Sequence, residues 1–146
     1  GSGDRFRFHS GTTSSRDLLG FSNPNGVCGA IETNGSSTSY LTSSDHRLKE
    51  NVVDLTGATD RLKLLEPSRF NFIADPDTTV DGFLAHETQA VVPEAVTGTH
   101  NEVDDDGNAV MQGIDQAKLV PLLTAALQEA LTKIDDLETR ITALEG

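Results

Sequence analysis

The most regular pattern of apolar and polar positions lies at the C-terminal end of the chain. Between residues 120 and 144, apolar side chains recur at alternating spacings of three and four, over more than three heptads. This spacing predicts a helix over residues 115–146 that forms a coiled coil, rather than one amphipathic helix packed on its own domain. The seam consists of Val120, Leu123, Leu127, Ala130, Ile134, Leu137, Ile141 and Leu144.

The start of this helix and the residue types along its seam add two expectations. Asp115 is placed to cap the helix start, and Pro121 lies too far inside for the first helical position, which predicts an irregular first turn. With Val120 at position a, the later a positions include isoleucine and leucine dominates at d, which favours a coiled coil of two helices. Leu131 at position e widens the stripe and weakens this preference. The residue types alone therefore predict a dimer.

Residues 44–114 have the short, mixed patterns of a small α+β domain. Apolar spacing predicts a helix over 58–66 that stops at the following proline. Alternation predicts a strand over 69–73, and 82–85 is a second strand candidate. The acidic run within 103–110 has the composition of a hairpin turn. The expected fold class is α+β, with this domain preceding the long C-terminal helix.

Residues 1–43 are rich in glycine, serine and threonine, which sets them apart from the rest of the chain. Short alternating runs between Asn-Pro-Asn-Gly and Asn-Gly turn signals predict strands and tight turns rather than a flexible linker. The runs contain too few apolar residues to close a core, so we expect them to intertwine with identical chains. Cys28 in one of them is expected to be a small buried hydrophobe. The predicted strands are 6–8, 27–31 and 39–41, and residues 1–3 look like a cloning remnant.

The charge of the chain is strongly negative, with 23 acidic and 11 basic residues and a formal net charge of −12. Acids and bases balance in residues 1–43, so the excess lies in residues 44–146. A surface of this sign repels phosphate groups, and no apolar run is long enough to span a bilayer. We therefore expect neither a nucleic-acid nor a membrane partner. Aromatic residues make up only 5% of the chain, so missing burial is expected to come from oligomerisation.

The sequence offers no convincing site for a metal or cofactor, and we expect neither. The acidic run 102–106 followed by Gly107 matches the opening of an EF-hand loop. However, position 12 of that loop would be Gly113 instead of the required glutamate, so a solvated hairpin turn is preferred. No histidine has a partner at ligand spacing. The four histidines are His9, His46, His86 and His100.

Ser44 and Lys49 are the candidate nucleophile and base. A lysine can act as the base for a serine once its ammonium is desolvated. Residues five apart lie about 140° apart on a regular helix, so the two meet only if the chain turns back after Ser44 or another subunit supplies the partner. From spacing alone, a capping Ser44 and a solvated Lys49 are the simpler interpretation. The adjacent Ser44-Asp45-His46 cannot form a hydrolase triad, because consecutive side chains point apart.

Five segments of residues 44–146 resemble, in order, the C-terminal intramolecular chaperone domain of endosialidases and other phage tail spikes and fibres. A related domain occurs in myelin regulatory transcription factors. His86 stands where this family commonly has glutamine. Any one segment is weak, whereas five in the family's order are specific. The segments are 44–52, 65–72, 82–87, 92–96 and 118–129.

This resemblance implies a self-cleaving homotrimer. Such domains trimerise, template the folding of the β-rich fibre before them, and release themselves in a single turnover without acting on other proteins. Residues 1–43 would be the end of a fibre stalk that stays in the tail of a phage virion after synthesis in the bacterial cytoplasm. The resemblance implies a trimer in place of the dimer. The competing hypothesis is a permanent trimeric fibre tip that binds a host receptor and never cuts.

The family's serine-lysine dyad corresponds to Ser44 and Lys49, and its cut to the Ser44–Asp45 bond. A serine hydroxyl more readily attacks the carbonyl that precedes it, so a cut after Ser44 would need another route, such as a neighbouring subunit or help from Asp45. An exposed lysine has a pKa of about 10.4 and is almost fully protonated at pH 7. We therefore expect the packing of three chains, helped by the positive charge of Arg47, to make the dyad functional. Candidate accessory residues are Arg47, Glu50 and His86.

Overall fold

A computed structural model describes residues 8–146 of the chain, so most of the strand predicted at residues 6–8 lies outside the described residues. The chain divides into two compact units, one ending at Val52 and the other beginning at Val53. The change in composition at residue 43 lies within the first unit. Each unit is described by itself.

The first unit is built on a three-stranded antiparallel sheet in the order β1-β2-β3. The predicted strands at 27–31 and 39–41 are confirmed as parts of the second and third strands. The first strand was not predicted. The strands are β1 (Arg16–Asn23), β2 (Gly26–Asn34) and β3 (Ser37–Thr42).

The two hairpin turns of this sheet follow from their asparagine and glycine residues. The Asn23 side chain accepts a hydrogen bond from the Asn25 amide at 2.9 Å, which forms a local turn. Gly26 and Gly35 have φ angles of +112° and +56°, a region that side chains with a Cβ rarely adopt. The two turns predicted from the asparagine and glycine residues are therefore confirmed.

Within the first unit, residues 8–52 provide no second layer over the sheet. Only Ala30 is buried between residues 8 and 52, whereas Phe21, Val27 and Tyr40 are exposed. Cys28 is exposed as well, so the prediction of a buried cysteine is wrong for the single chain. The reason is that an alternating strand buries one face only when another layer covers that face.

The second unit is a mixture of short helices and two-stranded antiparallel sheets around one small core. The fold class, α+β with a long C-terminal helix, is confirmed. Its elements are α1 (Ala58–Leu62), β4 (Ser68–Phe72), β5 (Asp75–Gly82), α2 (Ala85–Val91), β6 (Val96–Thr97), β7 (Gly113–Ile114) and α3 (Val120–Glu145). The core residues are Ala58, Leu65, Val92, Ala95, Val96, Leu119, Leu122 and Ala126.

Helix α2 and strands β5, β6 and β7 of the second unit were not predicted, and two predicted elements before α3 differ from those observed. Helix α1 ends at Leu62, before the predicted end at residue 66. The second strand candidate at 82–85 is wrong, because β5 ends at Gly82 and α2 begins at Ala85. This short apolar run is the junction between a strand and a helix. The strand predicted at 69–73 and the hairpin turn around residues 103–110 are confirmed by β4 and by the Val103–Ala109 bridge.

Helix α3 begins at Val120 instead of residue 115, so Pro121 lies closer to its start than expected, and the irregular turn precedes the helix. A 3-10 turn (Gln116–Leu119) precedes it, and Asp115 caps this turn by accepting a hydrogen bond from the Ala117 amide at 3.1 Å. Pro121 lies in the first turn of α3, where backbone amides have no partner within the helix. Among residues 8–146, no helix combines the length and hydropathy needed to cross a bilayer.

A glutamate on α3 caps the start of α1 and joins the two helices. Glu129 accepts hydrogen bonds from the amides of Ala58 and Thr59, each at 2.8 Å, and from the Thr59 hydroxyl. The Thr59 hydroxyl and the two amides lower the pKa of Glu129 to about 2, because each of them stabilises the charged carboxylate. An ionised Glu129 therefore adds to the apolar contacts that hold α1 on α3.

Candidate active site

The candidate dyad is formed by a turn that reverses the chain between Ser44 and Lys49. A 3-10 turn (His46–Leu48) starts directly after Asp45, and the Lys49 amide donates to the His46 carbonyl at 3.1 Å. Lys49 itself is extended, with φ of −125° and ψ of 143°, so its side chain returns toward the residue before the turn. The Lys49 Nζ donates to the Ser44 Oγ at 2.7 Å. The chain therefore meets the geometric condition that a spacing of five residues imposed.

Asp45 and Arg47 hold this turn in place. The Asp45 carboxylate accepts the Arg47 amide at 2.8 Å and pairs with the guanidinium at 2.9 Å and 2.8 Å. The hydrogen bonds from the Arg47 side chain and amide lower the pKa of Asp45. Because its charge is paired with Asp45, Arg47 does not present the free positive charge beside Lys49 that the sequence analysis expected. Its contacts instead fix the conformation of the turn.

The surroundings of the dyad define what the single chain can do chemically. Ser44 and Lys49 are both exposed. A lysine amine that contacts a serine hydroxyl can accept its proton only in the neutral form, which water disfavours and a dry site favours. The geometry of a serine-lysine pair is therefore present in one chain, whereas the dry environment is not. Glu50, the accessory candidate next to Lys49, is exposed as well.

His86 belongs to the second unit and has an aromatic neighbour that the sequence analysis missed. It lies near the start of α2, and its ring stacks on that of His100, with the centroids 4.3 Å apart and the planes inclined by 25°. His100 follows His86 by fourteen residues, so no local pattern signals this contact. Across residues 8–146, no three histidine, cysteine, aspartate or glutamate side chains are gathered in a way that could hold a metal.

The acidic hairpin that resembles an EF-hand opening is held by its own hydrogen bonds. Asp104 accepts from the amides of Asp106 and Asn108, at 3.0 Å and 2.9 Å, and from the Asn108 side chain. The hydrogen bonds from Asn108 lower the pKa of Asp104. The carboxylate thus satisfies backbone donors of a turn, as the hairpin interpretation predicts.

The predicted seam of α3 is an exposed apolar stripe in the single chain. Leu127 and Ile134 retain 61% and 49% of their accessible surface. The core of the second unit uses a different face of the helix, to which Leu122 and Ala126 belong. The apolar seam is therefore not explained by packing within this unit. Its exposed large members are Val120, Leu123, Leu127, Ile134, Leu137, Ile141 and Leu144.

Comparison with known proteins agrees with the resemblance seen in the sequence. No curated protein is significantly similar to the chain. Residues 44–97 match the peptidase S74 family model, described as chaperone of endosialidase. The matched part begins at Ser44 and includes the turn to Lys49, the β4–β5 hairpin and α2. The match confirms the resemblance to the chaperones of endosialidases and relates residues 44–97 to a family of peptidase-type domains.

Proposed function

We propose that this protein is the intramolecular chaperone end of a phage tail fibre or tail spike, and that it releases itself by autoproteolysis next to Ser44. The observation that carries the proposal is the 2.7 Å contact between Lys49 Nζ and Ser44 Oγ at the start of the matched segment. The part before the cut would remain in the virion tail as the end of the stalk. The part after it would leave once the fibre has folded.

The proposed partner is two further copies of the same chain in a parallel trimer. Two exposed apolar surfaces support this. One is the seam of α3, whose heptad spacing suits packing between helices. The other is the uncovered sheet of the first unit, which exposes Phe21, Val27 and Tyr40. Large apolar side chains exposed together on one helix and on one sheet are typical of interaction surfaces, and further copies of the chain would cover them.

The chemistry that we propose starts with the neutral amine of Lys49. It takes the hydroxyl proton of Ser44 while the Ser44 Oγ forms a bond to the carbonyl carbon of Ser43, through a five-membered ring. The bond between that carbon and the Ser44 nitrogen then breaks, and the nitrogen keeps the electron pair and takes the proton from Lys49. Water hydrolyses the resulting ester, which leaves a Ser43 carboxylate and restores the Ser44 hydroxyl.

We prefer a cut before Ser44 to the Ser44–Asp45 bond that the family resemblance implies. Attack of Ser44 on its own carbonyl would need a strained four-membered ring. Help from Asp45 is disfavoured, because both carboxylate oxygens are engaged by Arg47. Mass spectrometry separates the two cuts, since the products differ by one serine residue. Products 1–43 and 44–146 support our route, whereas 1–44 and 45–146 would support the other.

The experiment that tests self-cleavage compares the parent chain with variants of the dyad. Ser44→Ala and Lys49→Ala should each abolish fragment formation on a denaturing gel and leave the oligomer intact, because both side chains are exposed and bury little. Lys63→Ala is the matched control, since Lys63 is also an exposed lysine held by one polar contact. Two fragments from Ser44→Ala would disprove the dyad. A lasting single band from the parent would favour the permanent fibre tip.

A further inference from the structure

Ser43, the residue before the candidate nucleophile, is bonded twice to the sheet of the first unit. Its amide donates to the Cys28 carbonyl at 2.9 Å, which continues the β2–β3 pairing one residue beyond Thr42. Its hydroxyl donates to the Val27 carbonyl at 2.7 Å. Two adjacent carbonyls of β2 therefore hold one residue of the chain directly before the dyad.

We propose that Ser43 is a positioning residue for self-cleavage, and that its hydroxyl bond to Val27 aims the carbonyl that Ser44 attacks. This inference rests on the proposed function and on attack from the N-terminal side. The amide and side-chain bonds fix the two groups on either side of the Ser43 Cα. The carbonyl carbon is the remaining non-hydrogen group on that atom, so the sheet fixes its position, and the turn and Lys49 contact that hold Ser44 limit the rotation of the carbonyl about the Cα–C bond.

The physical reason is that attack through a five-membered ring requires the Ser44 Oγ to approach the face of the Ser43 carbonyl. If the residue before the bond can rotate, few of its conformations present that face to a hydroxyl that is already held by Lys49. Fixing both reacting groups in advance removes this entropic cost, and small misplacements lower rates by large factors. On one side the turn of residues 45–48 holds the nucleophile, and on the other side β2 holds the electrophile.

This arrangement links the scissile bond to the folded state of the stalk end. The bonds of Ser43 exist only when β2 and β3 are paired, because their acceptors are carbonyls of β2. A chain whose stalk sheet has not formed would keep its dyad but would lack the hydrogen bonds that orient the Ser43 carbonyl. Both bonds also lie on the stalk side of the cut, so the new C-terminus should stay anchored to the sheet after release.

The test uses the full chain with Ser43→Ala, which removes the hydroxyl bond and keeps the backbone bond. We expect cleavage to slow by about 3- to 10-fold, the effect of losing one exposed neutral hydrogen bond that orients a reacting group. Ser43→Thr should restore the rate, because it keeps the hydroxyl. Ser37→Ala is the matched control, since the Ser37 hydroxyl also donates to a carbonyl of the β2–β3 hairpin, at 3.2 Å from Asn34 O, away from the cut.

The outcomes separate this inference from the proposed function. Cleavage of Ser43→Ala at the parent rate would overturn the inference and leave the dyad untouched. An equally slow Ser43→Thr would also overturn it, since the hydroxyl would then not be what matters. Cleavage by Ser44→Ala, or no cleavage by the parent, would defeat the proposed function and this inference together. Slow Ser43→Ala, with Ser43→Thr and Ser37→Ala near the parent rate, supports it.

Discussion

The seam of α3 offers the sharpest test of the link between assembly and self-cleavage. We consider the double variant Leu127→Asp, Ile134→Asp, which leaves Ser44 and Lys49 unchanged. The two positions lie one heptad apart, both at position a of the seam. If the dyad becomes dry only in the trimer, this variant should stay monomeric and should not cut.

The size of the effect follows from the exposure of the seam in the single chain. Its seven large side chains retain between 43% and 85% of their accessible surface. Burying this exposed surface between helices would stabilise the oligomer by about 1 kcal/mol for each side chain, or about 7 kcal/mol per chain. The double variant forfeits about 2 kcal/mol of this. It also places two carboxylates in an apolar interface, where an unpaired charge costs several kcal/mol after relaxation. The lost burial and the two buried charges together cancel the stabilisation that burial of the seam gives each chain.

The assay combines light scattering with the rate of fragment formation at equal protein concentration. The matched control is Thr132→Asp, Thr139→Asp, which adds the same charge at the same spacing of seven. Both threonines lie at position f, outside the seam, and their hydroxyls donate only to carbonyls within their own helix. The control should form trimers and cut at the parent rate.

Three results would refute the reasoning. Cleavage at the parent rate by a variant confirmed as monomeric would show that the dyad needs no partner chain. A parent that scatters as a dimer would show that the preference of isoleucine at a and leucine at d outweighs the family resemblance. A parent monomer would defeat the proposed seam altogether.

Two further predictions concern stability. Because the pKa of Glu129 is lowered from 4.5 to about 2, its cap on α1 stabilises the second unit above pH 4.5, and this stabilisation is lost as the pH falls toward 2. The melting temperature of Glu129→Gln should therefore depend less on pH over this range than that of the parent. Glu138→Gln is the control, and an unchanged pH dependence of Glu129→Gln would contradict the cap. In Gly29→Ala, the new methyl would collide with the Leu41 carbonyl oxygen, so we expect a loss of about 1–3 kcal/mol and faster amide exchange in β3. Gly20→Ala is its control, because the space beside Gly20 is open, and equal stability of the two would show that β3 yields without cost.

The strands that could be predicted are those with a regular alternation. Strand β1 could not be predicted, because Leu18 and Leu19 are adjacent and both half-buried, so its apolar residues do not alternate. The pairing with β2 shifts register between Asp17 and Leu19, and such a bulge breaks the period of two that identifies a strand. Strand β5 could not be predicted for another reason. Most of its residues are polar and exposed, and it pairs only with β4, so it has no apolar pattern to mark it.

The candidate site was predictable in its residue types and not in its supports. The spacing of Ser44 and Lys49 required a reversal of the chain, but only the structure supplies the turn and the Asp45–Arg47 pair that holds it. The contact of Ser43 with Val27 joins residues sixteen apart. No periodicity encodes it, because it depends on the register of the β2–β3 hairpin.

Under the proposed function, these contacts would let a short segment respond to the folding of the fibre before it. Ser44 and Lys49 are exposed, so the chemistry proposed for them would be weak in an isolated chain and would depend on partner chains that exclude water. The preceding residue is held by a sheet that exposes its own apolar side chains, which we propose partner chains to cover as well. If both conditions must hold, cleavage requires a folded stalk end and an assembled chaperone at once. A chain that satisfied only one of them would keep its chaperone attached.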